Sequence, residues 1–306
     1  MTQTVSKKQK YPFASVIIPV LNAKKYLPDT LKALDEQTYP QDRFEIILID
    51  NGSGDGTLEY LLGTDYITLH NSRARNPYIS RNMGAEKAKG EILVFLDITC
   101  TPTEHWLEEG VNSIINGADL VGGNIKFKYH STNPTLGEWY DSITFVNVEE
   151  YIKRFKSAVG GNLFVSREVW RGAGAFPEDM RSGADSYWTR RASAKGYTLT
   201  FAENATVSYP ARELKGVIKK SYRVGKGHVR AWIKEKQQAK DIVLEIIKTF
   251  SPPSVKEIRS KIDKRGIAQM HNYIFHLWFI SWINKAAMGL GRASAFLTAK
   301  SKAKDA

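Results

Sequence analysis

FEIILID (residues 44–50) and EILVFLD (91–97) are short apolar runs, each closed by an aspartate. A run of this length without polar alternation is what a strand buried on both faces requires. Such strands belong to parallel sheets covered by helices. In open α/β sheets a ligand sits outside the carboxyl ends of the strands. Asp50 and Asp97 are therefore expected at one sheet edge, facing one crevice. Two carboxylates there suit a polar ligand, metal-bound or sugar-bearing.

The flanking sequence extends the pattern. SVIIPV (15–20) reads as the first strand. Asn22 is expected to cap the next helix, whose Leu27, Leu31 and Leu34 share one face. The glycine-rich turn NGSGDGT (51–57) follows the second strand and leads into a short helix. YITLH (66–70) reads as a strand, YISRNMGAEKAKG (78–90) as a helix stopped by Gly90. A helix from Pro102 through Ile115 and a strand over 118–127 come next. The alternation predicts an α/β fold with a doubly wound mixed sheet flanked by helices. Residues 129–158 show no clear period. TLTFAENATVSY (198–209) reads as two short strands around a turn at Glu203-Asn204. From Leu214 the pattern is helical, with a break at Ser251-Pro252-Pro253. The expected organisation is a disordered 1–12, a folded domain over 13–212 and a basic helical C-terminal extension over 213–306.

The net charge of +12 is unevenly spread. Residues 212–306 hold 21 Lys+Arg against 7 Asp+Glu, and the rest of the chain is close to neutral. The basic third reads either as a solvated helical face or as a contact for an anionic membrane surface. The near-neutral remainder argues against a broad basic groove, so no nucleic acid is expected as a partner. Cys100 is the only cysteine, which suits a reducing compartment. The polar N-terminus carries no signal-peptide core, so a cytoplasmic location is expected. IAQMHNYIFHLWFISWIN (267–284) has no formal charge, but its polar residues and its Trp278 and Trp282 fit an interfacial helix better than a span. A peripheral position at the inner face of the cell membrane follows.

Strand one ends without G-x-G-x-x-G, and no Walker A sequence is present. A dehydrogenase and a P-loop nucleotidase are thereby disfavoured. Instead, an Asn follows strand one, an Asp ends strand two, an Arg-Asn pair lies in a helix, and an Asp ends strand four. SVIIPVLNAKKYLPDTLKALDEQTYP, EIILIDNGSGDGT, SRNMGAEKAKGEILVFLD and GGNLFVSREVW…GAFPEDMRSGADSYWTRRASAKGY resemble, in this order, the blocks of a family 2 glycosyltransferase of bacterial type with the GT-A fold. The resemblance covers residues 14–212.

The resemblance implies roles. Pro19, Asn22, Asp50 and Arg81 would bind the nucleotide of a nucleotide-sugar donor. Asp97 would stand at its diphosphate as the first residue of the family's DxD. Gly160, Gly161 and Asn162 would form the loop beneath the donor sugar, and Asp185 would be the catalytic base of an inverting enzyme. The chemistry suits these residue types. A nucleoside diphosphate leaves with two negative charges that a divalent cation or basic groups must stabilise. The attacking hydroxyl needs a base. A UDP-sugar donor and a glycan or lipid-linked acceptor, in surface polysaccharide or glycolipid synthesis, are the expected partners.

Three positions depart from the family pattern. Thr99 stands at the second Asp of DxD, Ala184 precedes Asp185 where Glu or Gly is frequent, and Tyr209 replaces a His that completes the metal shell in many members. Neutral oxygens are weaker ligands than carboxylates for Mn or Mg. Weak cation binding through Asp97 and the diphosphate is expected, or turnover helped by basic residues alone. The alternative is a GT-A-fold binding protein with impaired catalysis. A sugar-1-phosphate nucleotidyltransferase is disfavoured because VLNAKKY lacks a glycine-rich loop. Taken structurally, Asp50 and Asp97 cap turns, Asp185 starts a helix, Arg81 is solvated, and His105, His228 and His271 serve the fold.

Overall fold

The computed structural model describes residues 11–71, 76–145 and 147–304. The expected disorder of 1–12 lies almost wholly outside these. In chain order the elements are β1 (Ala14–Val20), α1 (Leu27–Asp35), β2 (Phe44–Asp50), α2 (Thr57–Leu62), β3 (Ile67–His70), α3 (Pro77–Lys87), β4 (Ile92–Leu96), β5 (Thr101–Pro102), α4 (Trp106–Ile115), β6 (Leu120–Lys128), α5 (Leu136–Thr144), α6 (Val148–Phe155), β7 (Asn162–Ser166), α7 (Arg167–Ala173), α8 (Ala184–Ala194), β8 (Leu199–Pro210), α9 (Leu214–Lys234), α10 (Ala239–Thr249), α11 (Val255–Arg265) and α12 (Ile274–Lys304). They form two compact units. The first comprises Met1–Lys126, Asn147–Asp179 and Ala184–Tyr209; the second comprises Phe127–Val146, Met180–Gly183 and Pro210–Ala306.

The first unit is built on one sheet in the order β3-β2-β1-β4-β7-β6-β8-β5. Pairs β1–β2, β1–β4 and β2–β3 are parallel, whereas β4–β7, β6–β7 and β5–β8 are antiparallel. The sheet is therefore mixed, as the sequence predicts. Every residue of β1 and β4 is buried, the physical reason for their unbroken apolar runs. Val20 pairs with Asp50, and Asp50 with His70. The carboxyl ends of β1, β2 and β3 are thus level.

Several local expectations are corrected. Asn22 does not cap α1, which begins at Leu27 with no side-chain cap. It adopts a left-handed φ of 49° instead, and its Oδ1 accepts from the Gly54 N–H at 2.9 Å. β8 is one strand of 12 residues without a turn at Glu203-Asn204. Thr101 and Pro102 pair with it as β5, so α4 starts only at Trp106.

In the second unit, α5 is set by a capping box between Thr135 and Glu138. Trp139, Tyr140 and Ile143 of α5 share a core with Val217 of α9, Ile258 and Ile262 of α11, and Ile274, Leu277 and Ile280 of α12. The apolar segment 267–284 is therefore half spent on internal packing. Its first part is a 3₁₀ turn over Ala268–Tyr273 rather than α-helix. The indole N–H groups of Trp278 and Trp282 donate to the Pro253 and Phe250 carbonyls. They pin the Pro252-Pro253 break to α12. Among the described residues no helix is long and apolar enough to cross a membrane.

Candidate active site

The site is assembled within the first unit. Asp97 follows β4, and its N–H donates to the Gly161 carbonyl at 3.2 Å. Arg81, on α3, is 3 % exposed, and its Nη2 donates to Asp97 Oδ1 at 2.5 Å. The solvated reading of Arg81 is therefore corrected: it is a buried cation held by one carboxylate. Its Nε is buried without a hydrogen-bond partner. The Asp97 side chain is 44 % exposed.

Gly160 and Gly161, just before β7, bring Asp185 to the same place. The Gly160 N–H donates to Asp185 Oδ2 at 2.6 Å. A Cβ on Gly160 would lie 3.1 Å from Asp185 Cβ and 3.4 Å from Arg81 Cζ. A Cβ on Gly161 would lie 3.0 Å from Asp97 Oδ2. Arg81, Asp97 and Asp185 thus ring a loop that has no side chains of its own, which lets the backbone approach a ligand closely. Asp185 is the second residue of α8, not its cap, and its Oδ1 accepts from the Ser186 N–H at 2.9 Å.

Sequence reasoning misses Tyr78. It lies on α3 one turn before Arg81, beneath whose guanidinium its ring sits at 5.3 Å. Its hydroxyl donates to Asp185 Oδ1 at 2.9 Å. Burial, and then the Asp185 charge, push the phenol well above its ordinary pKa. Tyr78 stays protonated and remains a donor. The available signal is helical spacing: Tyr78 and Arg81 are three residues apart and share a face.

The other expected residues are placed differently. Asp50 is fully buried. Its carboxylate accepts from the N–H groups of Gly52 and Ser53 and meets His70 Nδ1 at 2.9 Å. Here it does hold the turn after β2. Pro19 is buried beside Ile49. Asn22, Ser53, Asp55 and Thr57 knit the loops after β1 and β2 together. Asn162 points into the sheet: Nδ2 donates to the Asn124 and Ala205 carbonyls, and Oδ1 accepts from Trp106 Nε1. Its side chain is spent on structure.

No three His, Cys, Asp or Glu side chains converge as a metal site among the described residues. Thr99 supplies no carboxylate and Tyr209 is buried. Asp97 alone fits a cation that takes most of its ligands from substrate phosphates and water, a mode that Mg favours.

The glycosyl transferase family 2 profile matches residues 15–169. Over 295 residues, covering 94% of this chain and 97% of the relative, the sequence is 36% identical to glycosyltransferase AglE of Haloferax volcanii. A second relative, from Methanococcus voltae, is 24% identical over 70% of this chain and 73% of its own length. It is described as a dolichyl N-acetyl-α-D-glucosaminyl phosphate 3-β-D-2,3-diacetamido-2,3-dideoxy-β-D-glucuronosyltransferase. Among solved structures, the mannosyltransferase PcManGT of Pyrobaculum calidifontis, in complex with GDP-Man and Mn2+, superposes with a TM-score of 0.59 at 18% identity. That match covers 95% of this chain and 80% of the other. TarS 1–349 of S. aureus, in complex with UDP, gives 0.51 at 15% identity over 92% and 91%. The fold is GT-A. The chain belongs to glycosyl transferase family 2 and is a glycosyltransferase.

Proposed function

We propose that the protein moves a sugar from a nucleoside-diphosphate sugar, with UDP-sugars first among the candidates, to an acceptor hydroxyl with inversion. The observation that carries this reading is the convergence of Arg81, Asp97 and Asp185 on the Gly160-Gly161 loop. Asp185 accepts the proton of the acceptor hydroxyl. The freed oxygen forms its bond to the anomeric carbon as the bond to the diphosphate breaks, and the electron pair leaves on the diphosphate. Tyr78 and the Gly160 N–H hold the carboxylate oxygens in place. Arg81 offers a fixed positive charge beside Asp97, where charge grows on the leaving group. A divalent cation, shared between Asp97 and the phosphates, would add Lewis-acid stabilisation of that leaving group. Pro19, Asn22 and Asp50 shape the nucleotide end through the loops after β1 and β2. Transfer assays with UDP- and GDP-sugars, with Asp185→Asn as control, test the reading.

One observation favours a second reading. The sequence Asp97-Ile98-Thr99, with Asp97 already engaged by Arg81, suits a sugar-nucleotide binding protein without turnover. Binding of UDP or GDP without transfer to any acceptor would select it.

A lipid-linked acceptor in surface polysaccharide or glycolipid synthesis, met at the inner membrane face, belongs to the same proposal. Support comes from exposed apolar side chains in the second unit. Ile247 and Leu244 of α10, and Phe275, Phe279 and Leu297 of α12, are each more than half exposed. They share that unit with the chain's excess of Lys and Arg, a pairing that suits an anionic lipid surface.

A further inference from the structure

A cleft of about 420 Å³ in the second unit is lined by Arg212, Gly216, Lys219, Lys220 and Arg223. These positions are spaced by four, three, one and three residues, so they lie along one face of α9 and the residues that lead into it. Gly216 leaves the middle of the row without a side chain. Asp141 of α5, a buried carboxylate, meets two of the lining cations. It approaches Arg212 Nη1 at 3.4 Å and Lys220 Nζ at 3.7 Å, and it accepts from the Arg212 backbone N–H at 3.0 Å. Lys220 also lies over the Phe145 ring at 3.9 Å. Arg212 and Lys220 are thus positioned from below. Lys219 and Arg223 make no ion pair among the described residues and stand exposed beside them.

Four cations therefore line this one cleft, two of them over the buried Asp141 carboxylate. Burial, then the neighbouring Arg212 charge, push Lys220 down to about 7, with Arg223 acting in the same sense and Asp141 opposing. An anion between the cations would relieve their mutual repulsion. Guanidinium and ammonium groups that flank an open cleft match the oxygens of a phosphate.

We propose that this cleft is a binding site for a phosphate group, carried either by a soluble phosphate or by the headgroup of an anionic lipid. The site is separate in the chain from the residues assigned to sugar transfer, and it does not depend on that assignment.

The test uses the full chain and two exposed-residue variants. Inorganic phosphate is titrated by 31P NMR, and binding to phosphatidylcholine vesicles with and without phosphatidylglycerol is measured by sedimentation. Lys219→Ala/Arg223→Ala is compared with Lys256→Ala/Arg259→Ala, which removes the same charge from exposed positions of α11. The proposal predicts that the cleft variant loses roughly tenfold in affinity for an anionic probe, about the effect of one or two charge-assisted contacts, while the α11 variant does not. Loss with inorganic phosphate alone assigns a soluble source, and loss with phosphatidylglycerol vesicles assigns a lipid headgroup. Equal behaviour of the two variants with both probes overturns the site. Residual phosphate binding that UDP competes away belongs to the donor crevice, so a failed donor reading would leave the cleft comparison unaffected.

Discussion

The Tyr78 hydroxyl and the Gly160 N–H grip opposite oxygens of the Asp185 carboxylate, at 2.9 and 2.6 Å. A carboxylate held at both oxygens cannot rotate freely. It presents its remaining lone pairs in one direction, which suits the proposed role of a base acting on one face of a sugar.

Tyr78→Phe removes one of these grips without changing ring volume. A hydrogen bond to a charged group contributes about 1.5–3 kcal/mol. Tyr78→Phe is expected to lower kcat on the order of tenfold or more, with donor KM nearly unchanged. Steady-state kinetics that show the loss in KM alone would assign Tyr78 to binding instead.

Arg81 and Asp97 are expected to set any response to metal. Because Arg81 occupies one Asp97 oxygen and Thr99 adds no carboxylate, cation affinity should be weak. Activity is expected to survive in part in EDTA, or to need well above micromolar Mn for recovery. Complete loss with full rescue at micromolar Mn would contradict this.

Gly161→Ala would set a methyl 3.0 Å from Asp97 Oδ2, at the site. In contrast, Gly110→Ala would drive one to 2.1 Å from the Phe164 ring, inside the sheet core. Overpacking of a core costs about 1–3 kcal/mol. Gly110→Ala should therefore lower Tm by several degrees, while Gly161→Ala lowers activity with Tm nearly unchanged. Melting curves and rates measured on the same preparations separate the two.

His228 gives the second unit a pH-dependent stability. Burial, then Arg292, push its pKa down from 6.5 to about 4. Arg292 Nη2 donates to Nδ1 at 3.0 Å, so the neutral ring is the one that fits. The unfolded chain takes up the proton first. This stabilisation is fully present above about pH 6.5 and is lost as pH falls toward 4. The loss amounts to about 3 kcal/mol. Denaturant melts at pH 7 and pH 5 should differ more for the native chain than for His228→Gln. An equal difference would remove His228 as the cause.

Much of this was legible in the sequence because burial on both faces leaves a plain trace. FEIILID and EILVFLD have the unbroken apolar runs that central strands require, and Leu27, Leu31 and Leu34 are indeed buried on one face of α1. The helix α5 was hidden because Glu138, Asp141 and Ser142 are buried polar residues that break its apolar stripe. Glu203-Asn204 has the composition of a turn, yet in the structure both are exposed residues within the continuous strand β8. Arg81, Asp97 and Asp185, which the fold brings together around Gly160-Gly161, all stand within the family blocks. Tyr78 was not readable, because its role arises from a contact across 107 residues that no local pattern encodes.

Asp185 as the base of an inverting sugar transfer is the core of the proposed function. It is tested most directly by measuring transfer by Asp185→Asn, with binding of UDP or GDP followed by thermal shift on the same preparation. Asp185→Asn is expected to lose at least about a hundredfold in kcat with nucleotide binding retained. Transfer at near-native rates by Asp185→Asn would contradict that role.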